Sequence, residues 1–97
     1  MQNFKKVLWW LIGGSRGGKN RMRIIMKLKE KPSNANQLSE QLDLDYKTIQ
    51  HHVEKLEENN VIETMGNGYG KNYFLTEQTE NYMGEIMKIA EKSGVKQ

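Results

Sequence analysis

The chain lacks cysteine, contains a single proline, Pro32, and has no apolar run longer than the six residues 7–12. The absence of cysteine excludes a disulfide framework, a thiolate zinc cluster and a cysteine nucleophile. The apolar run is far shorter than the roughly 20 residues that a membrane-spanning helix needs. We therefore expect a cytoplasmic protein that makes no stable membrane insertion.

The length and composition allow one small hydrophobic core. The chain has 97 residues, of which 36% are hydrophobic and 28% are charged. Because domains typically have about 100 to 150 residues, we do not expect two full domains. Without disulfides to stabilise it, a fold of this size is expected to be rich in helices.

The positive charge is concentrated in the first third of the chain. Residues 1–31 carry nine lysines and arginines but one acid, whereas residues 32–60 carry two basic and six acidic residues. The net charge of +3 therefore combines a strongly basic segment with an acidic one. A basic segment is typical of a surface that meets a polyanion, and the alternative is a face that serves only solubility.

Apolar spacing and glycines divide the first third of the chain. Residues 4–12 have the three- and four-residue spacing of a short amphipathic helix, and the glycine-rich residues 13–18 end it. Residues 1–20 are thus predicted to form an amphipathic segment with a glycine hinge. A basic helix is predicted over 21–31, where Pro32 stops it. Its inward residues are Met22, Ile24, Ile25 and Leu28, and its outward ones are Arg21, Arg23, Lys27, Lys29 and Lys31.

Two helix starts can be predicted from capping residues. Asn34, followed three residues later by Gln37, has the arrangement of a capping box and predicts a short helix that ends near Leu42. Asp45 is a natural N-cap for a second helix over residues 46–59. The buried stripe of that helix is expected to be Ile49, Val53 and Leu56, with His52 half-buried beside it.

The remaining segments predict a hairpin and a last helix. Short strands are expected over residues 61–65 and 71–75, joined by a turn that contains Asn67-Gly68. Thr76 can cap a helix over 77–92. The predicted fold is mainly α (α+β): a winged helix-turn-helix over 21–76, with a two-stranded β-hairpin wing, and a C-terminal helix over 77–97 with a frayed end.

The helix-turn-helix carries a family resemblance. Residues 36–62 read NQLSEQLDLDYKTIQHHVEKLEENNVI, and this stretch resembles the core of ArsR-type transcriptional regulators, particularly their archaeal relatives. The resemblance extends over residues 21–77. It implies a homodimer that binds double-stranded DNA, with the helix over 46–59 in the major groove and the hairpin on the flanking backbone. It also implies that the first and last helices dimerise.

Side-chain chemistry identifies candidate contacts for such a role. Glutamine can bond adenine, lysine can donate to guanine, and each phosphate contact adds salt-dependent affinity. The acids Glu54, Glu57 and Glu58 are expected to point away from DNA. The candidates for base reading are Tyr46, Lys47, Thr48, Gln50 and His51, and those for phosphate contact are Arg16, Lys19, Arg21, Arg23, Lys55, Lys71 and Asn72. For both sets the alternative is a solvated polar face.

The dimer interface is expected to combine the first apolar segment with the last helix. Its candidates are Leu8, Trp9, Leu11, Ile12, Tyr82, Met83, Ile86, Met87 and Ile89. The same residues can instead pack together within one chain. A large apolar patch left exposed would in either case mark an interaction site.

Three other site types are rejected on residue chemistry. Residues 13–19 have the spacing of a phosphate-binding P-loop, but Asn20 stands where the motif needs serine or threonine. His51 and His52 are adjacent, so on a helix they diverge by about 100° and cannot chelate one metal. The sequence shows no nucleophile paired with a general base, which catalysis would require. We expect no enzymatic activity, no cofactor and no metal.

Two further functions stay open. A winged-helix module can bind proteins without reading DNA, as the acidic helix-turn-helix region would allow. Trp9, Trp10, Lys5 and Lys6 could instead seat the chain at a membrane surface. The operator, the direction of regulation, and any effector ligand or protein partner cannot be read from the sequence.

Overall fold

A computed structural model describes residues 3–66 and 70–93. The chain starts with α1, continues as a π-helical segment over Trp9–Gly14, and then forms three helices, a hairpin and two C-terminal helices. The helices are α1 (Phe4–Leu8), α2 (Gly18–Glu30), α3 (Ala35–Leu42), α4 (Tyr46–Glu58), α5 (Glu77–Asn81) and α6 (Met83–Ser93), and the strands are β1 (Ile62–Met65) and β2 (Asn72–Leu75). This order confirms the predicted winged helix-turn-helix class.

Side-chain caps set the geometry of the helix-turn-helix. The Asn34 side chain accepts a 2.8 Å bond from the Gln37 N–H, and the Gln37 side chain accepts a 2.9 Å bond from the Asn34 N–H. The Asp45 carboxylate accepts from the Lys47 N–H at 3.1 Å. The predicted capping box and N-cap are therefore confirmed. Such caps typically stabilise a helix by about 1 kcal/mol each.

The wing is an antiparallel hairpin attached to the linker between α2 and α3. Ile62 pairs with Leu75, and Met65 pairs with Asn72. The Tyr73 N–H donates to the Ser33 carbonyl at 2.8 Å, and the Ser33 N–H donates back at 3.3 Å. The linker thus extends the sheet beyond β2 and holds the wing beside α3. The predicted Asn67-Gly68 turn lies outside the described residues.

The core lies between α2, α4, the π-helical segment and α6. The inward residues predicted for α2 are buried, and so are Ile49, Val53 and Leu56 of α4. His52 is also buried, which is deeper than the half-buried position expected. The apolar stripes of both helices were therefore assigned correctly, because the apolar spacing is regular, but Arg21, predicted to face outward from α2, is buried as well.

The N-terminal segment belongs to the same core. Leu8, Leu11 and Ile12 are fully buried, and the Trp9–Gly14 segment packs on α2 and α6. A Cβ on Gly18 would clash with the Ile12 carbonyl oxygen. Gly18, within the predicted hinge, therefore allows a close approach of α2 to the π-helical segment. The helix α2 begins at Gly18, earlier than the predicted residue 21.

The C-terminal helix is broken near Tyr82. Thr76 caps α5 by accepting from the Thr79 N–H at 3.1 Å, as predicted, but α5 ends at Asn81 and α6 begins at Met83. The apolar face of α6 packs inside its own chain. Burial shows that five predicted dimer contacts are core residues, so their assignment to the dimer interface is wrong: Leu8, Leu11, Ile12, Ile86 and Ile89.

Among residues 3–66 and 70–93, no helix is both long and apolar enough to cross a membrane.

Candidate nucleic-acid interface

The outer face of α4 presents polar side chains opposite its buried stripe. Tyr46, Lys47, Gln50 and His51 are exposed, and Thr48 is half-buried. Ile49 and Val53 point to the core, so the helix is anchored on one side only. The structure therefore brings all five predicted base-reading residues onto the first two turns of one helix.

Two of these side chains are bonded to each other. The Gln50 Nε2 donates to the Tyr46 hydroxyl at 3.3 Å, one helical turn away. This bond uses one of the two amide hydrogens, so the other hydrogen and the carbonyl oxygen remain for a partner. Because Tyr46 is itself 41% exposed, the pair forms an accessible polar edge.

A polar trough, here called the wing groove, separates α4 from the wing. Its first part has a volume of about 310 Å³ and lies between the start of α3, the start of α4 and β2. A second part of about 450 Å³ continues along α4 and shares Gln50, Lys71 and Tyr73 with the first. The first part is also lined by Asn34, Ala35, Asn36 and Tyr46, and the second by Val53, Glu54 and Glu57.

The wing groove has a positive and a negative part. Lys71 lies in both parts, while Glu54 and Glu57 line the second one. Glu54 and Glu57, which were expected to point away from DNA, thus line the same groove as Gln50. Burial, and then the charges of Glu57, Tyr46 and Glu54, raise the pKa of the Tyr73 hydroxyl. Tyr73 is thus a neutral hydroxyl at pH 7, able to donate or accept a hydrogen bond.

The predicted phosphate contacts fall into two groups. Arg16, Lys19 and Asn72 are exposed, and Lys71 is half-buried in the wing groove. Arg16 lies in the turn before α2 and Lys19 in the first turn of α2, while Lys71 immediately precedes β2 and Asn72 begins it. These four side chains have the accessibility that a phosphate contact needs.

The prediction that Arg21 contacts a phosphate is wrong. It is 2% exposed, and its guanidinium donates to the Leu11 carbonyl at 2.7 Å and to the Arg16 carbonyl at 3.0 Å. It also bonds the Ser15 hydroxyl. Arg21 therefore cannot reach a phosphate. The helical pattern placed it outward, but the residues before α2 fold back over it.

Arg23 and Lys55 have partners within the chain. Arg23 donates to the Leu42 carbonyl at 2.9 Å and to the Asn20 side chain at 3.3 Å, so it satisfies the end of α3. The Lys55 ammonium lies 5.1 Å from the centre of the Trp10 ring, a cation–π distance. Lys55 therefore lies on the α1 side of α4, away from the wing.

Three residues of this surface were not predicted from the sequence as contacts. Asn34 was assigned only a capping role, and Asn36 and Tyr73 were assigned none, yet all three line the wing groove. The start of α3 meets the start of α4 because the intervening turn is tight, with Asp43 at a positive φ of 54°. The alternation of polar and apolar residues along β2 indicates that Tyr73 faces α4. The pairing of Tyr73 with the linker before α3 has no such signal in the sequence.

The first helix is fastened to the last by polar and aromatic contacts. The Trp9 indole donates to the Glu85 carboxylate at 2.8 Å, and the Phe4 and Tyr82 rings meet edge to face at 5.2 Å. Trp9, Tyr82 and Met83 are partly buried against the core. Met87 is 41% exposed. These four are the predicted dimer contacts that retain accessible surface.

Within the part of the chain that the structure describes, no group of three or more histidine, aspartate or glutamate side chains could hold a metal ion.

Solved structures of transcriptional regulators share this fold. A MarR transcriptional regulator from Methanosarcina mazei Go1 is 21% identical, with a TM-score of 0.71 over 94% of this chain and 66% of that one. A probable transcriptional regulator from Pseudomonas aeruginosa is 18% identical, with a TM-score of 0.72 over 93% and 70%. Lactococcus lactis ZitR, in complex with DNA, is 22% identical, with a TM-score of 0.62 over 77% and 53%.

The chain therefore spans about two thirds or less of the MarR regulator and of ZitR. No curated protein sequence matches it. Residues 16–89 match the family described as methanogenesis regulatory protein FilR1, N-terminal domain. This match covers α2 to α6 without the last turn, including the helix-turn-helix and the wing. The chain belongs to the family of the FilR1 N-terminal domain.

Proposed function

We propose that the protein is a sequence-specific transcriptional regulator that binds double-stranded DNA as a homodimer. The observation that carries this proposal is the exposed edge of Tyr46, Lys47, Gln50 and His51 beside the wing groove. An α-helix with such an edge fits the major groove, where base pairs present distinct donors and acceptors. The ZitR relative, in complex with DNA, supports the same assignment.

Base reading is assigned to the first two turns of α4. Gln50 can pair with adenine through its free amide hydrogen and its oxygen, and Lys47 can donate to guanine. Thr48 and His51 flank this pair and can contact neighbouring bases. Because α4 carries acids in its second half, we expect its N-terminal half to enter the groove.

Backbone affinity is assigned to residues around α4. Arg16 and Lys19 lie before and within the first turn of α2, and Lys71 and Asn72 lie on the wing. Each neutralised phosphate releases counterions, so these contacts are expected to make affinity fall as salt rises. Affinity and selectivity thus depend on different residues.

The homodimer is assigned to the surface of the first and last helices. Trp9, Tyr82, Met83 and Met87 keep accessible apolar surface there. A two-fold axis through this surface would place two α4 helices in successive major grooves, with half-sites roughly 34 Å apart. The ArsR-type and archaeal assignments remain predictions from residues 36–62.

Selection of bound sequences from a random DNA pool tests the proposal. A palindromic motif with half-sites about one helical turn apart is expected. Gln50→Ala should relax one position of the motif, whereas Gln78→Ala, an exposed glutamine on α5, should leave the motif intact. A pool that shows no enrichment at low salt would contradict sequence-specific binding.

A protein-binding module is the second candidate function. It is favoured by Trp10, which is 50% exposed and lies beneath Lys55 at the edge of a groove with Lys6 and Val7. Sedimentation with and without DNA separates the two functions. A monomer that does not bind DNA would favour the protein-binding function.

A further inference from the structure

Arg21 is a buried cation whose partners in the described structure are all uncharged. Its guanidinium bonds the Leu11 and Arg16 carbonyls and the Ser15 hydroxyl. Its remaining contact is His52 of α4, whose Nδ1 lies 3.3 Å from the Arg21 Nη1. A guanidinium only donates, so Nδ1 must accept, and the imidazole must be neutral with its hydrogen on Nε2.

This contact holds the loop of residues 15–17 against α4. Arg21 bonds both the Ser15 side chain and the Arg16 backbone. Gly17 has a positive φ of 89°, and a Cβ there would lie 2.8 Å from His52 Cε1 and 3.0 Å from Arg21 Nη1. The loop is thus in direct contact with the Arg21–His52 pair. The Arg16 side chain is exposed, so the Arg21–His52 pair fixes the backbone position from which that side chain extends.

We propose that Arg21 and His52 form a proton-sensitive lock that positions the 15–17 loop, so that acidification weakens the attachment of Arg16 to DNA. The inference rests on the proposed function for its effect on DNA. The lock itself is a property of the free protein. Arg21 and His52 are positioning residues here, because they act through Arg16.

The charges around His52 make protonation unfavourable. Arg21 faces it from α2, and His51 is its neighbour on α4, with ring centres 5.5 Å apart. The charged residue of the 15–17 loop is Arg16, whose carbonyl accepts from Arg21. Burial, then Arg21, then His51 lower the pKa of His52 below its ordinary value of 6.5.

A protonated His52 would break the lock. Its Nδ1 would carry a hydrogen, so it could no longer accept from Arg21, and two cations would then face each other in a buried site. Because the pKa of His52 is lowered, the lock is closed at pH 7 and opens only below pH 6.5. Opening would release the loop and with it the position of Arg16.

The two histidines of the chain can be distinguished by single variants. His52 makes the contact with Arg21, so its protonation should weaken DNA binding. His51 is exposed on the reading face. Since the sequence contains only these two histidines, His51→Asn leaves His52 as the only histidine of the chain, and His52→Asn removes it.

The experiment measures DNA affinity from pH 7.5 to pH 5 at constant salt for the wild type, His52→Asn and His51→Asn. Asparagine places an acceptor oxygen near the position of Nδ1 and does not titrate. His51→Asn, which retains His52, should lose affinity on acidification. His52→Asn should lose no affinity, and a loss equal to that of His51→Asn would overturn the lock.

A measurement without DNA keeps the lock testable on its own. NMR titration of the wild type should give His52 a pKa below 6.5, with the Arg16 and Gly17 amide signals shifting along the same curve. Amides that stay constant through the His52 titration would overturn the lock. If these amides do follow His52 but no DNA binds at any pH, the lock stands and the proposed function fails.

Discussion

The Trp9 indole nitrogen donates a 2.8 Å hydrogen bond to the Glu85 carboxylate, across 76 positions of sequence. Lys5 lies 3.9 Å from the same carboxylate. These contacts close the N-terminal segment onto α6, although neither partner was assigned this role from the sequence. The bond therefore joins the start of the chain to α6 within one molecule.

Loss of this bond should destabilise the fold. Glu85→Ala is expected to lower the free energy of unfolding by about 1–2 kcal/mol, because a partly buried indole N–H loses a charged acceptor. Glu85→Gln should retain most of the stability, since it keeps an acceptor and an ion pair with a largely exposed lysine contributes little. Urea unfolding measures both. Equal losses from Glu85→Ala and from Glu91→Ala, an exposed glutamate of the same helix, would contradict this account.

Two glycines should respond oppositely to alanine. Gly18→Ala brings a methyl group against the Ile12 carbonyl oxygen, so α2 and the π-helical segment must separate; we expect a loss of about 1–3 kcal/mol. A Cβ on Gly84 of α6 meets nothing within 4 Å. Gly84→Ala should therefore stabilise by about 0.5–1 kcal/mol. Thermal unfolding compares the two, and equal effects would favour the hinge interpretation of residues 13–18.

Stability should fall as the solution is acidified below the ordinary pKa of histidine. The pKa of His52 is lowered in the folded chain, so the unfolded chain binds its proton first and gains stability relative to the native state. The contribution of His52 is fully present above pH 6.5 and is lost as pH falls toward the folded pKa. Urea unfolding at a series of pH values measures it. His52→Asn should flatten this dependence between pH 6.5 and pH 5, and His51→Asn should retain it.

Phosphate contacts and base contacts should respond differently to salt. Lys71→Ala and Arg16→Ala are each expected to weaken binding to all DNA sequences and to reduce the salt slope by about one. Gln50→Ala should instead relax the preference at one base position, at a cost of about 1–3 kcal/mol for the preferred site. Lys88→Ala, on the exposed side of α6, is the charge-matched control. A control effect as large as that of Lys71→Ala would show that only net charge matters.

Local signals in the sequence were sufficient for the helix-turn-helix and not for the segments around it. Asn34, Gln37 and Asp45 act on backbone groups two or three residues away, so their capping roles can be predicted from spacing alone. The buried position of Arg21 depends on the loop that folds back over it, which involves carbonyls at Leu11 and Arg16. Such tertiary contacts leave no periodic signal.

The α4 part of the candidate site could be predicted from the sequence, and the wing groove could not. The exposed edge of α4 follows from the period of its buried stripe, so its base-reading candidates could be placed on one face. The wing groove depends on the pairing of Ser33 with Tyr73, and the partners of Arg23 and Lys55 depend on helix packing. These contacts join separate elements of the fold, and no local pattern in the sequence predicts them.

The central claim is that the N-terminal half of α4 and the wing form a DNA-binding surface. The measurement that tests it most directly is NMR titration of the labelled protein with duplex DNA at low salt. We predict shifts concentrated in residues 46–51 and 71–72, which weaken as salt is raised. An absence of binding at low salt, or shifts confined to α1 and α6, would contradict the claim.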